Sequence, residues 1–192
     1  MKRWSVRHVP QLFAATLLLI GIVAFTTAPR ETFAGSKYLG VSLYGQEQSN
    51  WCWAAANKMI MNWHGTSASQ CAIVDKVFSG CPNQGAYLHE AASALRSYGF
   101  NADEWNGWLG AKTVVQELDA GRPFYVHWNW SSGGAHAVVV RGYNSNSSGS
   151  AATVYYADPL PLNRGRFASL SYDDFVDNGT HEWVKTIWDI RD

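Results

Sequence analysis

Apolar residues recur at three- and four-residue steps along 49–63: Trp53, Ala56, Ile60 and Trp63 fall on one side of a helix, and Gly65 offers a C-terminal stop. Ser49 or Asn50 can cap the start, which puts Cys52 in the first turn. The same period predicts a second helix over 69–78, carrying Ile73, Val74 and Val77. A third is predicted over 88–98, with Leu88, Ala91, Ala92 and Leu95 on one side and Gly99 behind it. A fourth covers 111–120, stopped by Gly121 and Pro123. Beyond Pro123 the texture changes to β-branched and aromatic runs. Strands are predicted over 124–130 and 135–143, joined by a hairpin turn at Ser131-Ser132-Gly133-Gly134, then over 153–159 and 182–190, with a short helical turn at 171–176. Helices first and an antiparallel sheet second is the order of an α+β fold. A helical lobe facing a sheet lobe leaves a cleft between them.

Composition narrows the function classes. The chain has 192 residues, 47% of them hydrophobic, enough for one core and too few for two substantial domains. Lys plus Arg and Asp plus Glu balance at 15 each. Nothing there points to a nucleic-acid binder, which needs a cationic face to displace counterions from phosphates. Ten tryptophans fit either a dense aromatic core or a groove lined with rings. There is no internal repeat, and the one low-complexity run is the polar stretch 144–150.

The N-terminus reads as an export signal. Lys2, Arg3, Arg7 and His8 precede an uncharged run over 12–25, shorter than the ~20 residues of a membrane-spanning helix. Small residues follow, and a cut after Ala34, ahead of Gly35, divides the chain into a signal over 1–34 and a domain over 35–192. A cut after Ala28 is disfavoured by Pro29, and an uncleaved anchor is the alternative reading. In either case membrane contact is expected only through this segment, and the domain lies outside the cytoplasm, secreted or periplasmic. Three cysteines in an oxidising space imply a pair and a leftover. Cys71 and Cys81, close together among Gly, Pro and Ser, are the expected disulfide, which leaves Cys52 free.

A thiol in the first turn of a helix lies near the positive end of its dipole, which favours the nucleophilic thiolate. The competing reading is a small buried hydrophobe between Trp51 and Trp53. Gln46, six residues earlier, weighs against that, because its amide can sit beside the Cys52 N–H and donate to a developing oxyanion. Gln46, five residues, then Cys52-Trp53 at a helix start resembles the active-site segment of papain-like cysteine peptidases. The fuller string Trp51-Cys52-Trp53-Ala54-Ala55 resembles a bacterial branch that includes secreted effector peptidases delivered into plant cells.

His136 is the candidate base. It follows Gly133-Gly134, which leave room for a substrate, and it opens the stiff run Ala137-Val138-Val139-Val140. Gly-x-His-x-Val-x-Val followed by Gly142-Tyr143 resembles the second active-site segment of the same family. His127 is the rival, without the glycine approach; His64, His89 and His181 read as surface or loop residues. Asp158, at the end of the next strand, can meet His136 and stabilise its charged form. Many members of the family carry Asn there. An Asp followed by Pro159 resembles the branch that removes leader peptides from bacteriocins. Asn144 is the alternative orienting residue.

The resemblance covers the chain from Val41 onward and implies a papain-like α+β fold. It also implies an endopeptidase acting on protein or peptide through a Cys52 thioester, with His136, Asp158 and Gln46 as catalytic partners and Trp53, Gly133 and Gly134 around the substrate. One departure stands out: Cys52 and His136 are 84 residues apart, against ~130–150 in papain-type enzymes, so the lobes must be trimmed. No cofactor is expected. The set His64, Cys71, Cys81 and His89 contains zinc-ligand types, but its spacing fits no paired-ligand pattern. An acyl transferase, a cell-wall peptide amidase and a non-catalytic binding module are the alternative functions.

Overall fold

The computed structural model describes residues 35–192. The expected signal over 1–34, with its cleavage point, lies outside the described residues. Four helices, α1 (Cys52–Trp63), α2 (Gln70–Asp75), α3 (Leu88–Ser97) and α4 (Ala111–Asp119), precede most of the sheet. The strands are β1 (Ser36–Tyr38), β2 (Asn101–Trp105), β3 (Phe124–Trp130), β4 (Ala135–Ser145), β5 (Ala151–Asp158), β6 (Arg166–Ser171) and β7 (His181–Arg191), with α5 (Tyr172–Val176) between the last two. The sheet runs β2-β7-β3-β4-β5-β6, and β1 continues the β3 side of β4 beyond the point where β3 ends. Every pairing is antiparallel. The α+β class expected from the helix-then-strand order is the observed architecture.

Helix α1 is buried on nearly all sides: Trp53, Ala54, Ala55, Ala56, Met59, Ile60 and Met61 are all inside. Its three alanines let the sheet and the neighbouring helices approach closely, which an ordinary amphipathic surface helix does not need. Its one buried polar side chain, Asn57, donates to the carbonyl of Ala91 at 2.8 Å and ties α1 to α3. The central run from Ala137 to Val140 is buried on both faces, which explains why it reads as continuously apolar rather than alternating.

Three strands escape the sequence reading, β1, β2 and β6, and each has a partner on one side alone. β2 pairs only with β7, and β6 only with β5. Most of their side chains are exposed or half-exposed, so backbone pairing forms these strands and leaves little apolar signature. Among the described residues, no helix is long and apolar enough to cross a membrane.

The head of α1 also differs from expectation. Neither Ser49 nor Asn50 caps it; Trp51 holds the cap position with no side-chain bond. Asn50 instead makes a reciprocal pair with Asn83, N–H to Oδ1 at 2.9 Å and Nδ2 to the carbonyl at 3.0 Å, and Asn83 Nδ2 donates to Ser49 Oγ. The residues suited to capping hold a distant loop in place instead.

Candidate active site

Cys52 is the first residue of α1, half-buried, and the free cysteine among the described residues. No carbonyl or side chain among the described residues accepts from its backbone N–H, and the first turn carries no acidic side chain. The positive end of the helix is therefore left for whatever lies at the sulfur.

His136 sits at the start of β4 and is 3% exposed. The β4–β5 register pairs Val139 with Ala157, so one step on Asp158 falls opposite Val138. His136 is then the diagonal neighbour of Asp158 on the same face, a separation that long side chains bridge. The imidazole Nε2 lies 2.7 Å from Asp158 Oδ1. That leaves Nδ1 for the Cys52 side chain, which lines the same cleft and interacts with the ring. Burial pushes the imidazole toward its neutral form. The bond to Asp158 and the interaction with the Cys52 sulfur outweigh it and carry His136 up to about 9. Trp130 stacks over the ring at 5.6 Å between centroids, 22° from parallel.

Asp158 is buried with both oxygens engaged. Besides His136, Oδ1 accepts from the Leu160 N–H at 2.9 Å, and Oδ2 accepts from Arg166 Nε and Nη2, both at 3.0 Å. Burial alone would favour the neutral acid; these donors, His136 first, overcome it and hold the carboxyl below its usual range. Arg166 was not anticipated. Its cross-strand pairing with Asp158 depends on β6, an edge strand without a sequence signature.

Gln46 lines the cleft with Cys52 and His136, in a loop clamped from two sides. Its N–H donates to the Pro159 carbonyl and its carbonyl accepts from Asn163 N–H. Gln70 brackets it, donating Nε2 to the Gly45 carbonyl at 2.7 Å and accepting from Glu47 N–H at 3.0 Å. The Gln46 amide nitrogen donates to the carbonyls of Gln48 and Ser49, at 2.9 and 2.8 Å, while Oε1 is buried without a partner. In this resting arrangement both amide hydrogens are engaged.

The cleft has a volume of about 260 Å³ and opens between the α1 side and the sheet. Trp53 forms part of its wall but is 1% exposed, so it acts mainly as core. The two tryptophans flanking Cys52 also reach a distant loop, where Trp51 Nε1 donates to the Pro82 carbonyl and Trp53 Nε1 to the Gln84 carbonyl. They staple the loop that carries Gly85 and Ala86 into the cleft wall. Gly133 and Gly134 are not among the lining residues. Both adopt positive φ, 93° and 85°, in the exposed hairpin turn that launches β4, so backbone geometry explains them.

Two further cleft residues, Tyr125 and His127, project from β3. The sequence reading missed Tyr125 and weighed His127 only as a rival base. Burial first, and the nearby Cys52 second, raise Tyr125 well above the usual phenol value, so it stays neutral. His127 is pushed down to about 4, by burial and then by Lys185 and His136. His181, read as a surface or loop residue, is buried and stacked on Trp128 at 3.9 Å. Asn144, the alternative orienting residue, lies on β4 and donates to the Tyr155 hydroxyl, while the imidazole of His136 bonds Asp158.

Cys71 and Cys81 form a disulfide with Cα atoms 5.2 Å apart, which removes both thiolates from the zinc set. Among the described residues no group of His, Cys, Asp and Glu converges on a metal position. The bond closes the loop that leads into the stapled wall. Its removal in a Cys71→Ala/Cys81→Ala protein should cost about 3 kcal/mol, read as a lowered urea midpoint; an unchanged midpoint would contradict this.

Residues 36–178 match the family described as Peptidase C70, papain-like cysteine protease AvrRpt2. No curated protein matches by sequence. Among solved structures, the peptidase domain of Streptococcus ComA, a bifunctional ABC transporter of a quorum-sensing pathway, aligns with a TM-score of 0.59 and 20% identity. That alignment spans 77% of this chain and 96% of that one. A putative C39-like peptidase from Bacillus anthracis aligns at 0.58 and 14% identity, over 82% and 98%. A double-glycine-motif protease from an AMS/PCAT transporter, in complex with its leader peptide, aligns at 0.54 and 16% identity, over 79% and 92%. At these identities the structural neighbours establish the fold alone, while the family match covers most of the chain. The chain belongs to the AvrRpt2 family of papain-like cysteine proteases and is a cysteine peptidase.

Proposed function

We propose that this peptidase cleaves peptide bonds within protein chains through a thioester on Cys52, with His136 as base, Asp158 as its orienting partner, and the Cys52 N–H with Gln46 as oxyanion donors. The observation that carries the reading is the His136 Nε2 to Asp158 Oδ1 bond, which commits the other ring nitrogen to the sulfur at an uncapped helix head. In the first half-reaction the Cys52 thiolate attacks the carbonyl carbon, and the oxygen takes up the negative charge. The Cys52 N–H donates to that oxygen, and Gln46 Nε2 exchanges one of its two neutral carbonyl partners for the anion, a stronger acceptor. As the C–N bond breaks, the imidazolium gives its proton to the departing amine. Neutral His136 then takes a proton from water, whose oxygen attacks the thioester. The acid leaves, and thiolate and imidazolium are restored. Asp158 keeps the ring from rotating throughout.

The domain works outside the cytoplasm, with 1–34 as its export signal and 35–192 as the mature enzyme. The Cys71–Cys81 disulfide supports this, since such bonds persist in oxidising compartments. Limiting iodoacetamide near neutral pH, followed by mass spectrometry, tests the pair directly. Wild type should label fast and once, at Cys52; His136→Ala should label at least about tenfold more slowly. An inert Cys52, or equal rates in the two proteins, would sink the assignment.

A further inference from the structure

A second hollow, of about 370 Å³, adjoins the Cys52 cleft and shares Gly85, Ala86, His127 and Ala135 with it. Tyr87 and Leu88 add apolar wall on the loop side, and Lys185 lines the sheet side. We propose that this hollow receives a substrate side chain ending in a carboxylate, next to the scissile bond, with Lys185 as the residue that selects it. The inference rests on the peptidase reading above and names the substrate class of that site.

Lys185 and His127 are direct cross-strand partners on β7 and β3, and the register shifts immediately beyond them. Such an irregularity re-aims the side chains beside it. Lys185 is half-buried, yet no carboxylate among the described residues lies within ion-pairing distance of it. The other half-buried cations have partners: Lys58 pairs with Glu47 and Arg122 with Glu117, while Lys37 donates to the Asp119 carbonyl and Arg141 to the Leu39 carbonyl. An ammonium that lines the hollow with no carboxylate of its own is free to pair with one brought by a ligand. None of the lining residues is acidic. His127, held neutral by burial and by its cationic neighbours, adds a polar group without adding negative charge. The imidazolium of His136 has the same sign as Lys185, so a basic side chain would meet repulsion here. Ala86, Leu88 and Ala135 present apolar surface along which a methylene stem can lie, with its charged end at Lys185.

The test is cleavage of a synthetic peptide library in which every residue type occurs at every position, with products sequenced by mass spectrometry. It is run on wild type, Lys185→Glu, Lys185→Gln and Cys52→Ala. Wild type should enrich Glu or Asp at one position within two residues of the cut. On a matched Glu/Gln peptide pair taken from that enrichment, the Glu form should have about tenfold higher kcat/KM. Lys185→Gln should lose the preference, and Lys185→Glu should turn it toward Lys and Arg. Fast Cys52 alkylation by iodoacetamide reports an intact site in each Lys185 variant; if Lys185→Glu fails to fold, the Lys185→Gln comparison decides. Cleavage by wild type without acidic enrichment overturns the inference alone, as does enrichment that persists in both Lys185 variants. Wild type and Cys52→Ala giving the same products would overturn the peptidase reading with it.

Discussion

Asp158→Ala should lower kcat/KM by about 10²–10⁴-fold and move the alkaline limb of its pH profile downward. In the wild type the imidazolium persists up to about 9, because the Asp158 bond and the Cys52 interaction outweigh burial. The active thiolate–imidazolium pair is lost when His136 gives up its proton, so activity should fall as pH rises through that value. Deleting the carboxylate removes the first of the two upward contributions and leaves burial in place. His136 then deprotonates at a lower pH, and the alkaline limb follows it down. Arg166 would lose its partner in this variant, but it is largely exposed and stays hydrated. His136→Ala should cost at least as much activity and abolish that limb altogether. The check is kcat/KM from about pH 5 to about pH 10 for the three proteins, a range that brackets the histidine's titration. An Asp158→Ala enzyme that is slow yet keeps the wild-type alkaline limb would show that Asp158 acts on packing rather than on the imidazole.

Gly45→Ala should be the most damaging glycine-to-alanine change among the described residues. A Cβ at Gly45 would lie 2.2 Å from Arg164 N, 2.5 Å from Asn163 C and 2.8 Å from Arg164 C. All three are backbone atoms, so no rotamer change can relieve the contact. Either the segment carrying Gln46 or the loop over 159–165 must move, and the two are joined by Gln46 N–H to Pro159 and Asn163 N–H to Gln46. Overpacking in well-ordered sites costs about 1–3 kcal/mol, and more where backbone is displaced; the upper end is expected here. Activity should fall further than stability explains, because Gln46 and Leu160 both line the cleft. Gly40→Ala is the matched control. Its Cβ would meet only Trp63, at 3.8 Å, an ordinary contact, and its urea midpoint should stay near wild type. Equal midpoints for the two variants would refute the role of close approach at Gly45.

Much of the molecule was readable in the order of residues. The helix and strand periods placed α1, α3, α4 and the β3–β4 hairpin close to their observed bounds, since each buries a continuous stripe of its own side chains. The cysteine pairing was readable because two sulfurs in a short Gly- and Pro-containing loop have few other partners. Where the reading slipped, a local pattern met a remote competitor: Ser49 and Asn50 look like caps, but Asn83 offered Asn50 two hydrogen bonds at once. The glycines before His136 suggested room for a substrate, and their turn geometry turned out to be sufficient reason for them.

What the sequence determined by itself is what neighbours along the chain can encode: the α+β order, a thiol at a helix head, and a histidine and an aspartate on strands that could be adjacent. Only the tertiary structure decided which groups surround them. Gly45 against Arg164, Arg166 on Asp158, Tyr125 and His127 in the cleft, and Lys185 beside His127 all join segments that are remote in sequence or carried on weakly patterned strands. Helical and strand periods record burial of a residue on its own element. They carry no record of the partner across the gap, and the electrostatics of the site come from those partners.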